Sequence, residues 1–150
     1  MNTAFKSSIK SKTLVFLQFT IIFVLVGGTV FSRMTLFAFS LLILSVMLLG
    51  WSAFAMRKSK LRIMPEPSAG ATLITNGPYH YIRHPMYTAV LLFCVGLLIC
   101  NFSLLRTVLV TALIIVLIIK LTLEEKLLLQ KFEAYQDYHK QTYRLIPLVF

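Results

Sequence analysis

Four apolar segments, at about Leu14 to Phe31, Met34 to Met56, Met86 to Asn101 and Leu104 to Leu123, constrain this chain more than any other feature. A bilayer core asks for about 20 helical residues, with a working range of about 17 to 25. Three segments meet that length comfortably. The third is short, so it either sits low in the bilayer or begins earlier, in the proline-containing approach from His80. Composition agrees, since 58% hydrophobic and only 13% charged residues do not describe a soluble chain. The expected fold is all-α, an integral membrane bundle of about four transmembrane helices with a C-terminal amphipathic helix. It forms one domain over residues 1–150, with an N-terminal helical pair at 14–56 and a loop at 57–85 rich in Pro, Gly and basic residues.

Lys6, Lys10 and Lys12 precede the first segment in the manner of a secretory signal. No small-x-small cleavage site followed by a polar mature chain appears, so an uncleaved first helix is expected. The formal net charge of +10 raises nucleic acid as a partner, but the cations are interleaved with apolar segments and carry no nucleic-acid-binding motif. They set orientation instead, because cytoplasmic loops carry the Lys and Arg excess. With four spans, the N-terminus, the 57–85 loop and the C-terminal tail share one face and hold all the Lys and Arg residues except Arg33 and Arg106. A multi-pass protein with both termini in the cytoplasm follows, and the brevity of the chain suits a bacterial inner membrane. Cys94 and Cys100 have no histidine cluster beside them to complete a metal site, and they read as small packing residues.

Against this apolar background NGPYHYIRHPMYTA, residues 76–89, is unusual. Gly77-Pro78 signals a turn. Pro85 lacks a backbone N–H yet suits a first helical turn, so the third helix is expected to start at Pro85 or Met86. Arg83 and His84 then stand just ahead of a helix N-terminus, where free N–H groups and the positive dipole end favour an anion such as a carboxylate. Tyr79, Tyr81 and Tyr87 supply amphipathic rings at headgroup depth, which by residue type also describes an ordinary interfacial belt.

A second cluster follows the fourth segment without a break, KLTLEEKLLLQKFEAYQDYHKQTYRLIP at 120–147. Glu124 and Glu125 stand at the membrane end of an apolar helix, where a carboxylate is costly unless paired or wetted. Lys120 precedes Glu124 by one turn and is placed to pair with it, though in the less favourable order. Beyond them Leu127, Leu128, Phe132, Tyr135 and Tyr138 recur at helical spacings, as in an amphipathic helix lying along the interface or capping the bundle.

The ordered set G-P-Y-x-x-x-R-H-P-x-Y, a helical hairpin, E-E, F-x-x-Y-x-x-Y and R-L-I-P resembles the isoprenylcysteine carboxyl methyltransferase and phospholipid methyltransferase superfamily. The resemblance covers residues 71–147, and the first two segments match only as generic apolar helices. It implies an integral membrane methyltransferase that uses S-adenosyl-L-methionine at the cytoplasmic ends of its last helices. By motif position the cofactor contacts are Leu73, Ile74, Tyr79, His84, Pro85, Met86, Tyr87 and Glu124. Lys120 stands where the carboxyl methyltransferases have a substrate-facing arginine; lysine keeps the charge but loses the bidentate fork. Gln141 stands where many relatives carry a basic residue before the R-x-I-P-like element at Arg144 to Pro147.

Methyl transfer from a sulfonium is an in-line displacement, so it asks for alignment and a dry pocket more than for an acid–base relay. An amine acceptor must lose a proton, and Glu125 or His84 is the expected receiver. The implied partners are membrane lipids and a lipophilic or lipid-modified acceptor, either an isoprenylcysteine carboxylate or a phospholipid amine. Two other readings compete: an NADPH-dependent membrane reductase of related architecture, and a small membrane subunit without enzymatic activity. The chain shows no further phosphate-binding basic motif of the kind the reductase would need.

Overall fold

A computed structural model describes residues 2–57 and 72–147. The stretch 58–71 of the expected loop, with Lys58, Lys60 and Arg62, lies outside the described residues. The helices are α1 (Asn2–Gly27), α2 (Leu36–Met56), α3 (Pro85–Cys100), α4 (Leu104–Lys131) and α5 (Tyr135–Gln141), with short 3-10 turns at Phe31–Arg33 and Gly77–His80. Among the described residues there is no strand; one isolated parallel bridge joins Ile82 to Tyr143.

Local chemistry accounts for the helix starts. The Thr35 hydroxyl accepts from Ala38 N at 3.2 Å ahead of α2, and the Ser103 hydroxyl accepts from Arg106 N at 3.3 Å ahead of α4. α3 begins at Pro85, as expected from its fixed φ and missing N–H. Gly77 adopts φ 62°, a left-handed conformation that a Cβ disfavours, and it packs beneath Trp51.

Burial follows helical periodicity. On α1 the inward residues are Ser11, Gln18, Ile21 and Leu25, and on α4 they run from Arg106 through Val110, Leu113, Leu117, Lys120 and Leu121 to Glu125 and Leu128. Ile21, Leu25, Cys94, Leu97, Val110, Leu113 and Leu117 form the central core between α1, α3 and α4. α2 packs on α3 differently, through the small residues Ala38, Ser45 and Ser52 at seven-residue intervals. Gly96 of α3 meets this stripe so closely that a Cβ there would lie 3.0 Å from Leu42 Cδ2 and 3.3 Å from the Ala38 carbonyl oxygen. Small residues allow such close approach when no water-driven apolar effect holds helices together.

The outward faces are apolar. Leu36, Phe37, Ile43, Leu44, Val46, Met47, Trp51 and Phe54 of α2 are exposed, and only 17% of its apolar window is buried. α2 and α4 are each long and apolar enough to cross a bilayer; Ser11–Gly27 of α1 and α3 are shorter apolar helices. The two ends of the bundle differ. At one end the Arg106 guanidinium donates to the Leu25 and Leu97 carbonyls and to Thr29 Oγ1, each at 3.2 Å. These carbonyls belong to the last turns of α1 and α3, where a cation is favoured. The opposite end holds the turn before α3 and the two glutamates of α4.

The C-terminal region departs from the expected single amphipathic helix. α4 carries straight through Glu124 and Glu125 to Lys131, the chain breaks at Phe132, and α5 is a separate helix of 7 residues. Neither proline nor glycine causes the break. Tertiary packing does: Tyr135 is buried to 1% exposure, and the Tyr138 hydroxyl donates to the Tyr79 carbonyl at 2.6 Å.

Candidate functional site

The turn, the start of α3, the end of α4 and the C-terminal strand-like segment are bound into one unit. Backbone bonds run from Arg83 N to the Tyr143 carbonyl at 2.8 Å, from His84 N to the Arg144 carbonyl at 3.1 Å and from Tyr143 N to the Tyr81 carbonyl at 3.1 Å. Thr88 Oγ1 adds a bond to the Leu145 carbonyl at 2.7 Å. Residues some 60 positions apart in sequence are thereby held against the first turn of α3.

Glu125 sits at the centre of this unit. Its Oε1 accepts from Arg83 Nε at 2.8 Å and lies 3.3 Å from His84 Nε2, while its Oε2 accepts from Arg144 Nη2 at 3.1 Å. The second arm of Arg83 reaches the carbonyls of His139, at 2.9 Å, and Thr142. One guanidinium thus ties α4 to the end of α5. Such a buried carboxylate is tolerable only because each oxygen has a charged partner.

Glu124, the adjacent residue, has different surroundings. A helix turns about 100° per residue, so neighbouring side chains cannot share one direction. Glu124 faces a cavity of about 270 Å³, close to the lower end of the range for small-molecule sites, about 300 to 1,000 Å³. Its Oε2 accepts from the Tyr87 hydroxyl at 2.8 Å and lies 3.8 Å from His84 Nδ1. The Tyr87 ring stacks on the His84 ring at 5.4 Å between centroids. His84 therefore turns one nitrogen towards each glutamate.

The cavity is polar on one side and apolar on another. Tyr79, Arg83, His84, Tyr87, Lys120 and Glu124 line it together with Met86, and Phe19, Ile22, Leu49, Met56 and Val90 supply the apolar wall. Burial and the nearby Glu124 charge raise the Tyr79 phenol well above its ordinary value, so it is a neutral donor. Burial likewise pushes the Tyr138 phenol up to about 12, which keeps the proton that it donates to the Tyr79 carbonyl.

Of the residues singled out from the sequence, Tyr79, His84, Met86, Tyr87, Lys120 and Glu124 share this cavity. Pro85 is buried at the start of α3 and is not among the lining residues. Leu73 and Ile74 are half-buried in irregular chain before the turn and are not among the lining residues. Glu125, given a proton-accepting role by sequence, does not line the cavity, and both of its oxygens are already taken. The expected Lys120–Glu124 pair does not form within ion-pair distance. Glu124 turns to Tyr87, and Lys120 Nζ donates instead to Gln18 Oε1 at 2.7 Å and lies 5.0 Å from the Tyr87 ring centroid. Sequence reasoning passed over Gln18, a lone amide in the apolar run of α1. Its isolation there was the available signal, since a buried polar group needs a partner.

The chemistry of the set suits a charged cofactor beside a lipid: a carboxylate acceptor, neutral phenols and a buried ammonium, with apolar walls adjoining. No curated protein matches the chain. A profile of phospholipid methyltransferases does match it, over residues 33–135, which takes in α2, the turn, α3 and α4 with all the polar lining residues except Gln18. That span is more than two thirds of the sequence, and it contains the R-H-P-x-Y turn and both glutamates whose side chains organise this end of the bundle; the chain belongs to the phospholipid methyltransferase family.

Proposed function

We propose that the protein transfers the methyl group of S-adenosyl-L-methionine to a lipid acceptor at the cytoplasmic face of a membrane. Membership of the family makes it a membrane methyltransferase; the cofactor and the lipid acceptor are the proposal. The observation that carries it is Glu124, a carboxylate that lines the cavity while its neighbour Glu125 is fully engaged elsewhere. A zwitterionic cofactor with an ammonium and ribose hydroxyls needs such an acceptor.

When bound, the cofactor supplies an electrophilic methyl on a sulfonium sulfur. The residues of this chain do the rest. Glu124 receives the ammonium or the ribose hydroxyls, held in direction by the Tyr87 hydroxyl and the His84 ring. Tyr79 and Met86 bound the site beside them. Glu125 acts as a positioning residue, fixing Arg83 and His84 behind the cavity. Phe19, Ile22, Leu49 and Val90 exclude water, which strengthens the electrostatic contacts inside and protects an in-line displacement. For an amine acceptor, His84, which lines the cavity, is the expected receiver of the departing proton, since Glu124 is committed to the cofactor and Glu125 to its cations. The decisive experiment is transfer of radiolabelled methyl from S-adenosyl-L-methionine to a total lipid extract by the purified protein. Label in a chromatographically defined lipid is expected, and label in none refutes the function.

The same reading puts four helices across the bilayer with both termini in the cytoplasm, which the distribution of Lys and Arg supports. A reporter active only outside the membrane, fused after Phe150, is expected to stay silent, whereas one fused between Phe102 and Ser103 reports. The reverse pattern overturns the topology.

A further inference from the structure

Lys120 is 1% exposed, yet among the described residues it has no carboxylate within ion-pair distance. Its partners are the Gln18 amide oxygen and the face of Tyr87. An ammonium carries three donors, and one of them is spent on Gln18. Gln18 itself is 6% exposed and lines the cavity, and the bond to Lys120 uses its oxygen, leaving the amide N–H groups for the cavity. Two adjacent side chains thus offer donors and no free acceptor to the same space. Glu124 lines the same cavity but is turned to Tyr87 beyond ion-pair distance, so burying this ammonium is only partly offset. An anionic oxygen group beside Gln18 and Lys120 would complete the site.

Depth supports an acceptor lipid as the source of that group. Gln18 lies four residues inside the start of the first apolar segment and Lys120 three residues inside the end of the fourth. At about 1.5 Å per residue both lie roughly 5 Å within the cytoplasmic boundary, just below headgroup level. The apolar residues Phe19, Ile22 and Val90 line the same cavity and suit the adjoining chain.

We infer that Gln18 is a specificity-determining residue, which together with Lys120 binds the anionic oxygen group, phosphodiester or carboxylate, of the acceptor lipid. Gln18 belongs to α1, outside the residues that match the family, whereas Lys120 lies within them. The inference rests on the lipid-acceptor reading above. Gln18 Oε1 holds the ammonium at the cavity wall, and its amide N–H groups share the ligand.

The test uses the full-length protein in a maltoside detergent without cofactor, and two matched probe pairs. Dioleoylphosphatidylethanolamine is compared with dioleoylglycerol, which has the same chains and no phosphate. N-acetyl-S-farnesylcysteine is compared with its methyl ester, which has no carboxylate. Retention of radiolabelled probe on immobilised protein should favour the member that carries the phosphodiester or carboxylate in one pair by tenfold or more, and which pair it is identifies the source. Gln18→Glu keeps a partner for Lys120 but fills the anion position with its own charge, and should abolish the preference while the protein melts at or above the wild-type temperature. Gln18→Leu should lose it too. In methyl transfer, Gln18→Glu should raise the acceptor KM about tenfold with cofactor affinity by calorimetry unchanged, whereas a merely structural role would move both. Equal retention within both pairs, or a preference that survives Gln18→Glu, overturns the inference. Failure of methyl transfer with the preference intact would instead count against the function and leave the anion subsite standing.

Discussion

Arg83→Met is expected to lower the apparent melting temperature of the apo protein by about 6 to 12 °C, from a loss of about 3 kcal/mol at about 2 to 4 °C per kcal/mol. Removing one partner of a buried ion pair costs about 3 to 5 kcal/mol because it strands the other charge. The lower figure applies because Glu125 keeps His84 and Arg144 after the change. The loss should be localised: without the second arm of Arg83, the carbonyls of His139 and Thr142 lose their shared donor, so protease should cut between 132 and 147 before it cuts elsewhere. Arg144→Met is the comparison. Its side chain is 32% exposed and meets Glu125 at 3.1 Å, so water replaces much of what is removed and the cost should be about 1 kcal/mol. Equal melting shifts from the two substitutions would show that the double engagement of Arg83 does not hold the C-terminal region in place.

This network also shows what a sequence of this kind conceals. The apolar segments locate α2 and α3 to within a few residues, and Pro85 states where α3 starts, whereas α1 begins well before Leu14 and α4 runs on past Leu123 to Lys131. Proximity in the turn places Tyr79, His84, Met86 and Tyr87 together, and helical spacing places Lys120 and Glu124 on neighbouring turns. The partners of those residues are another matter. Arg83 and Arg144 look like interchangeable interfacial cations until the parallel bridge at Ile82 and Tyr143 brings the tail beside the turn. Gln18 gains meaning only when α1 packs on α4. Phase along α4 guarantees that Glu124 and Glu125 differ, but which of them meets the cations depends on where α3 and the tail lie. The break at Phe132 has the same origin, since it serves contacts made by Tyr135 and Tyr138 and not any local signal.

That difference between the two glutamates sets the sharpest test of the cofactor reading. Glu124→Gln keeps the shape of the side chain and its bond with Tyr87, in which the amide oxygen still accepts, while removing the charge. A solvated helix-end carboxylate would tolerate this, since exposed pairs contribute only about 0 to 1 kcal/mol. Glu124 instead lines a cavity with apolar walls, where a charge-assisted bond is worth about 1.5 to 3 kcal/mol, or roughly 10- to 150-fold in affinity. Methyl transfer should therefore fall tenfold or more, mostly as a raised requirement for S-adenosyl-L-methionine, while the melting temperature of the apo protein stays the same or rises slightly. Glu125→Gln should behave in the opposite way. It removes the charge that Arg83, His84 and Arg144 share, so the apo protein should melt earlier, and whatever remains folded should bind the cofactor with an affinity nearer to wild type. Calorimetric titration with cofactor and a melting curve on each variant separate the two roles. If Glu124→Gln binds S-adenosyl-L-methionine as tightly as the wild type, or if the two substitutions produce the same pattern of binding and stability, the assignment of Glu124 to the cofactor fails.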